Sequence, residues 1–263
     1  MTGAWPIDLE QDGVVDCHAH VGKWCFDAEG ETLDCLRKLD NDFGISRSVV
    51  MISLQDKGGT DNYKANEQLL NDIGNDGRFF FFYWIDPRVD AIEDIEAMGN
   101  HIHGLKLHPS HTRTRVSSKT MKPFLEWCER NGKPLLVHCG RWQEYSSCRF
   151  AIETAKEHTF PLIIAHMGGP SYELKVGALD MLRNVAVDNI FLDTSTCFQP
   201  NLIRKAVDII GETHVLFGSD YPLYHPALGI QAVLLAGLSD KLTSSILRDN
   251  AARLLDVRRR STS

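Results

Sequence analysis

Pro134-Leu135-Leu136-Val137-His138 is a short apolar run that ends on a histidine. A run this continuous fits a strand buried on both faces, as in a parallel sheet covered by helices. The same design recurs along the chain. Val14-Val15-Asp16-Cys17-His18, Ser48-Val49-Val50-Met51-Ile52, Phe79 to Ile85 and Gly104-Leu105-Lys106-Leu107-His108 precede it. Pro161-Leu162-Ile163-Ile164-Ala165-His166, Ile190-Phe191-Leu192-Asp193 and His214-Val215-Leu216-Phe217-Gly218 follow. That makes eight runs, bounded by Gly, Pro or polar residues. Helices are expected between them, over 31–43, 62–75, 90–99, 119–131, 147–158, 172–184 and 200–210. In 119–131, Met121, Phe124, Leu125 and Cys128 recur at helical spacing, and Gly132 stops the turn.

Eight strands alternating with helices predict an α/β fold, a closed (β/α)8 TIM barrel. The chain of 263 residues is read as one domain, with its core at about 13–256. The competing architecture is an open doubly wound sheet, but no Gly-x-Gly-x-x-Gly follows the first run.

Apolar residues make up 43% and charged residues 24%, an ordinary globular composition. The net charge of −7, from 28 basic and 35 acidic side chains, gives no footprint for nucleic acid or an anionic membrane. No run approaches the roughly 18 apolar residues of a membrane span. The opening residues lack a basic segment followed by an apolar stretch, so no secretory leader is expected. The basic cluster Arg258-Arg259-Arg260 beside a Ser/Thr tail is expected to fray. Seven scattered cysteines without a Cys-x-x-Cys read as reduced thiols and a cytoplasmic location. Cys17, His18, His20 and Cys25 lack a second ligand pair at zinc-finger spacing.

In a parallel barrel the chemistry gathers at the C-terminal strand ends. Five of the eleven histidines finish predicted strands: His18 and His20 on the first, His108, His138 and His166 on the fourth, fifth and sixth. Asp193 lies late in the seventh, and Asp220 closes the eighth. His214 opens its strand and His158 ends a helix, so neither belongs at the mouth. His18 and His20 are two residues apart on a strand, so their imidazoles share a face and suit a divalent metal. His138, His166 and Asp220 at three other strand ends strengthen that reading. Lys106 shares parity with His108; buried, it would bind an anionic substrate or, carbamylated, bridge two metals, and the bland reading is a lysine that snorkels to the rim. Arg141 could clamp a substrate carboxylate, and Trp24 and Trp142 could wall a pocket. Ordinary loop and packing roles compete for all three.

Taken together, Val15-Asp16-Cys17-His18-Ala19-His20, Gly104-Leu105-Lys106-Leu107-His108-Pro109, Leu136-Val137-His138-Cys139-Gly140, Ala165-His166-Met167-Gly168-Gly169, Leu192-Asp193-Thr194-Ser195 and Leu216-Phe217-Gly218-Ser219-Asp220-Tyr221-Pro222 resemble the amidohydrolase superfamily. The resemblance is to its amidohydrolase-related branch, which also contains aminocarboxymuconate-semialdehyde decarboxylase. Asp249 to Leu255 is similar to that branch's last helix. The resemblance implies a barrel of the metal-dependent hydrolase type. It implies that His18, His20, His138 and Asp220 hold the metal, most simply Zn²⁺, and that Asp220 and His166 are catalytic. In two-metal members the counterpart of His166 is itself a ligand and a carbamylated lysine bridges; Lys106 sits where that bridge would arise. Lys106, Arg141, Trp24 and Tyr221 are the candidate substrate-binding residues.

The expected activity is hydrolysis of a small amide, lactone or similar carboxylic derivative by a metal-activated water. The alternatives are non-oxidative decarboxylation of an unsaturated or aromatic acid at the same site, and a catalytically silent metabolite-binding barrel. Expected partners are a small-molecule substrate and a second copy in a homodimer, with no nucleic acid or membrane.

Overall fold

The computed structural model describes residues 13–24, 27–53 and 62–256. Nine strands form one sheet: β1 (Val14–Trp24), β2 (Asp27–Glu31), β3 (Ile45–Ile52), β4 (Phe79–Ile85), β5 (Gly104–Leu107), β6 (Leu135–Val137), β7 (Leu162–Ile164), β8 (Ile190–Asp193) and β9 (Val215–Leu216). Their order is β2-β1-β3-β4-β5-β6-β7-β8-β9. All neighbours from β1 and β3 to β9 pair parallel; β2 pairs antiparallel with the end of β1.

The sheet curls until its ends meet. Cys17 N–H donates to Phe217 O at 2.9 Å, Asp220 N–H to His18 O at 2.8 Å and His20 N–H to Tyr221 O at 2.7 Å. Ala19 and Tyr221 form a parallel bridge across that seam. Eight parallel strands with alternating helices therefore make a nearly closed (β/α)8 barrel, as the run pattern predicts.

Why the apolar runs become strands is visible in β4. All seven residues of Phe79-Phe80-Phe81-Phe82-Tyr83-Trp84-Ile85 are buried, because one face fills the barrel and the other meets the helices. Phe82 packs so tightly against β5 that a Cβ on Gly104 would stand 2.5 Å from its ring, so no larger residue fits there. Near the top, the chain separates from β3: the β3–β4 ladder covers Ser48↔Phe79 to Val50↔Phe81. Asn66 and Asn62 then serve the backbone of Trp84, which β3 leaves unpaired. Asn66 Oδ1 accepts from its N–H at 2.9 Å, while Asn62 Nδ2 and Asn66 Nδ2 donate to its carbonyl at 2.8 and 3.1 Å.

Several boundaries differ from the sequence reading. β1 continues past both histidines to Trp24, because it keeps pairing with β3 as far as Val21↔Ile52 and then with β2. Glu31 ends β2, so the first described helix starts later, at Leu33, behind a Thr32 cap that accepts from Cys35 N–H at 3.2 Å. The predicted 119–131 helix is a 3₁₀ turn, Lys119–Met121, feeding an α-helix over Lys122–Asn131 with Pro123 in its first turn. Gly132, at φ 55°, caps it as expected. The predicted last helix runs over Asn250–Asp256. No disulfide joins the described cysteines. No helix among the described residues is long and apolar enough to cross a membrane. Cys25 and the Arg258–Arg260 cluster lie outside the described residues.

Candidate metal centre

β1 supplies His18 and His20 across a bulge in which Asp16↔Ser48 is followed by Ala19↔Val50, so three steps of β1 span two of β3. Both imidazoles are buried, and their Nε2 atoms stand 3.1 Å apart. Asp220 Oδ1 lies 3.3 Å from His18 Nε2 and 3.5 Å from His20 Nε2.

The other ring nitrogens decide what these atoms are. His18 Nδ1 faces Asp193 Oδ2 at 2.8 Å, and His20 Nδ1 faces the carbonyl of Ile52 at 3.1 Å. Each partner is an acceptor, which assigns the proton to Nδ1 and leaves a lone pair on each Nε2. Two lone pairs and a carboxylate oxygen thus face one another, an arrangement that calls for positive charge; Lys106 Nζ, 3.1 Å from His18 Nε2, meets one of the two lone pairs. With Zn–N bonds of about 2.0–2.1 Å, two tetrahedral ligands stand about 3.4 Å apart, so the donor set fits one divalent ion. A metal-binding histidine ordinarily gives its second N–H to a carboxylate or a backbone carbonyl, and here one does each. A wider group of ligand atoms, from His18, His166 and Asp220, lies within 4.8 Å.

Asp193, at the end of β8, organises the rest. Its Oδ1 accepts from His166 N–H at 2.8 Å, from Ser195 N–H at 3.1 Å and from the Ser195 hydroxyl, while Oδ2 holds His18. Ser195 Oγ, having given its proton to Asp193, accepts from His166 Nδ1 at 2.8 Å. That fixes a lone pair on His166 Nε2, which faces His138 Nδ1 at 2.9 Å. Gly218 makes this packing possible: a Cβ there would lie 2.9 Å from His18 Cβ and 3.4 Å from Asp193 Cβ. Burial raises the Asp193 carboxyl, against the pull of the Ser195 hydroxyl.

Burial pushes His18, His108, His138 and His166 well below the ordinary histidine value, and their proximity to one another or to Lys106 adds to it. All four are neutral at pH 7, the form that ligates a metal. Lys106 is buried with Nζ 3.1 Å from His18 Nε2. Burial brings its ammonium down to about 8, with Asp220 and Asp193 opposing. It reaches the centre and does not snorkel to the rim.

The backbone at this rim is unusual. His166, Met167, Thr196 and Asp220 have φ of 60°, 50°, 58° and 61°. Left-handed backbone at non-glycine residues costs on the order of 1 kcal/mol each and gathers where a side chain must be aimed. Here the left-handed turns follow the ends of β7, β8 and β9.

The structure therefore brings His18, His20, His166, Asp220 and Lys106 together, with His138 joined through His166. Other predicted site residues fall elsewhere. Arg141 is exposed in the loop after β6. Trp142 is 62% exposed and walls nothing off. Tyr221 is half-buried and its backbone closes the barrel seam. The side chain of Trp24 lies outside the described residues. Sequence reasoning assigned no role to Asp193 or Ser195, although a carboxylate ending an apolar strand was the signal for the first. It also missed Trp84, whose ring lies 5.7 Å from His20.

A family model described as Amidohydrolase matches residues 15–257. No sequence match is found among curated proteins. Among solved structures, 2,6-dihydroxybenzoate decarboxylase from Rhizobium is 18% identical, with a TM-score of 0.71 over 94% of this chain and 99% of that one. An amidohydrolase from Burkholderia multivorans with bound zinc is 17% identical, with a TM-score of 0.73 over 92% and 99%. A dihydroxybenzoic acid decarboxylase from Polaromonas with bound manganese and an inhibitor is 16% identical, with a TM-score of 0.71 over 94% and 97%. These structures share the fold and include proteins that hold divalent metals. With the family model spanning nearly all of the barrel, the chain belongs to the amidohydrolase family.

Proposed function

We propose that this protein is a metal-dependent hydrolase that cleaves a small amide, lactone or similar carboxylic derivative. The observation that carries the reading is the convergence of two histidine lone pairs and Asp220 Oδ1 at 3.1–3.5 Å. His18, His20 and Asp220 would hold a divalent ion, most simply Zn²⁺, and His138 would complete the set on giving up the Nδ1 proton that it shares with His166.

When bound, such an ion supplies Lewis acidity and lowers the pKa of a coordinated water to about 7. Asp220 is the general base: Oδ1 faces the two histidines, while Oδ2 lies 3.9 Å from His166 Nδ1, beyond hydrogen-bond range, and can take the proton. His166 is held in one orientation by Ser195 and Asp193. Its Nε2 is an acceptor, which suits it to bind an ion or receive a proton, and His138 Nδ1 is the matching donor. Lys106 Nζ is a donor aimed at this lone-pair cluster. It either stabilises negative charge on the substrate as an ammonium or bridges two ions as a carbamate.

Two measurements test this. Elemental analysis of protein purified without chelator, for wild type and Lys106→Ala, is expected to give one equivalent of metal in both. Two equivalents falling to one would mean a bridged pair, and none after reconstitution would remove the mechanism. A substrate panel is expected to release protons by hydrolysis. Release of CO₂ from aromatic or unsaturated acids instead would replace hydrolysis by decarboxylation.

A further inference from the structure

Trp84 is the second-last residue of β4 and lies inside the barrel. It pairs in register with Lys106, so both side chains point inward at the same level. Its ring lies 5.7 Å from His20, 5.7 Å from His108 and 6.4 Å from His111, and Lys106 Nζ sits 6.0 Å from the ring centre. The residue is 1% exposed, and its Nε1 has no hydrogen-bond partner among the described residues. The backbone of the same residue is fully engaged by Asn62 and Asn66. The strand end is therefore fixed, and a buried indole N–H, a group that can only donate, is held beside the metal centre without an acceptor. A buried donor left unmet is costly, and such groups mark sites completed by something outside the protein chain.

The chemistry of the surroundings says what completes it. Along β4 and β5, Trp84, Lys106, His108 and His111 present donors, a cation and neutral rings. Asp86, just past β4, is already paired with Arg88 through contacts of 2.8 and 2.5 Å. The other carboxylates of the mouth, Asp193 and Asp220, belong to its opposite side, at the end of β8 and past β9, where they face His18, His20 and His166. His111 is exposed and its ring lies edge-on to Trp84 and His108.

We propose that the Trp84 indole N–H is a substrate-binding donor that takes an acidic oxygen, a carboxylate, of the substrate on the β4–β5 side of the mouth. This rests on the reading of the mouth as the substrate site. It adds the group that orients the substrate and selects an acid over its neutral counterpart.

The probe is benzoate, with benzamide as its neutral counterpart, added to the metal-loaded protein. The Trp84 indole signal in a ¹H–¹⁵N correlation spectrum is assigned by its loss in Trp84→Phe. Benzoate is expected to move that signal downfield and benzamide to leave it in place. Trp84→Phe is expected to weaken benzoate binding about tenfold, in line with a hydrogen bond to a charged group. Replacement of Trp84 by benzothienylalanine keeps the ring volume, removes the N–H and should give the same loss, which guards against a packing effect. Benzoate binding that is equal in all three proteins, with the indole unmoved, overturns the proposal. So does a failure of benzoate to bind while metal is retained; both outcomes leave the metal centre standing. Failure to bind metal would instead overturn the functional reading beneath it.

Discussion

The seam where β9 meets β1 and the wall formed by β4, β5 and β6 both carry polar side chains into the same mouth, yet they are held differently. At the seam and the adjoining β8, His18, Asp193, Ser195 and His166 are locked by hydrogen bonds of 2.8–3.3 Å that assign a tautomer to each ring. Across the mouth, Trp84, His108 and His111 are held mainly by ring contacts, while His138, stacked on His108 at 3.7 Å, reaches back to the seam through its hydrogen bond to His166. Hydrogen bonds fix direction as well as distance, whereas stacking fixes position and leaves ring nitrogens uncommitted. One wall is thus pre-set for a cation, and the other keeps donors in reserve for a ligand.

The strongest way to break this contrast is to remove a group from the seam. Asp220→Ala or His18→Ala should cost the protein its metal and lower turnover by at least about a hundredfold, while the far-ultraviolet circular dichroism stays native. Full metal content and activity in either variant would dissolve the distinction between the walls.

Asp193→Asn sharpens it. The amide keeps the size of the carboxylate but loses the charge that anchors His18 Nδ1–H, so metal affinity should fall about 10–100-fold by competition with a chelator. An unchanged affinity would mean that the network around Asp193 is structural only.

The smallest effect concerns Asp40, on the helix Leu33–Asp42 that packs behind β3, where Ser48 donates to its Oδ2 at 2.9 Å. Burial, with Asp16 nearby, raises its carboxyl to about 7. Between roughly pH 4 and 7 the native state holds a proton that the unfolded chain has released, so this group's contribution to stability declines as pH rises through that window. Asp40→Asn removes that dependence. Its melting temperature should gain on wild type by a few degrees between pH 5 and 8. A constant difference across that range would show that Asp40 is ionised throughout.

Much of the fold was legible because barrel strands are buried on both faces. Phe79–Ile85 and Ile190–Asp193 have the bounds that their apolar runs indicate. β2 was not legible: Asp-Ala-Glu-Gly-Glu has no apolar run, its charged residues alternate only with Ala and Gly, and its pairing with β1 makes it a strand. The helix Pro226–Leu234 was also missed, since Pro-Ala-Leu-Gly-Ile-Gln-Ala-Val-Leu is apolar nearly all round and shows little helical periodicity. Of the site, His18, His20, His138, His166, Asp220 and Lys106 could be picked out because each lies at or near the end of an apolar run in the sequence. Arg141 and Trp142 could not be judged, because a loop residue's direction has no sequence period.

By itself the sequence determined the barrel, the order of its strands and the identity of the side chains at their C-terminal ends. These follow from local rules: two-residue strand periodicity, continuous apolar runs and the direction of the chain. Only the tertiary structure decided that His18 meets Asp193, that His166 meets His138, and that the Trp84 indole has no hydrogen-bond partner among the described residues. The two contacts join residues 175 and 28 positions apart and depend on the closure of β9 onto β1 and on the bulge at Asp16–Ala19. Registers across a barrel are set by how all its strands pack together, so no single stretch of sequence encodes them.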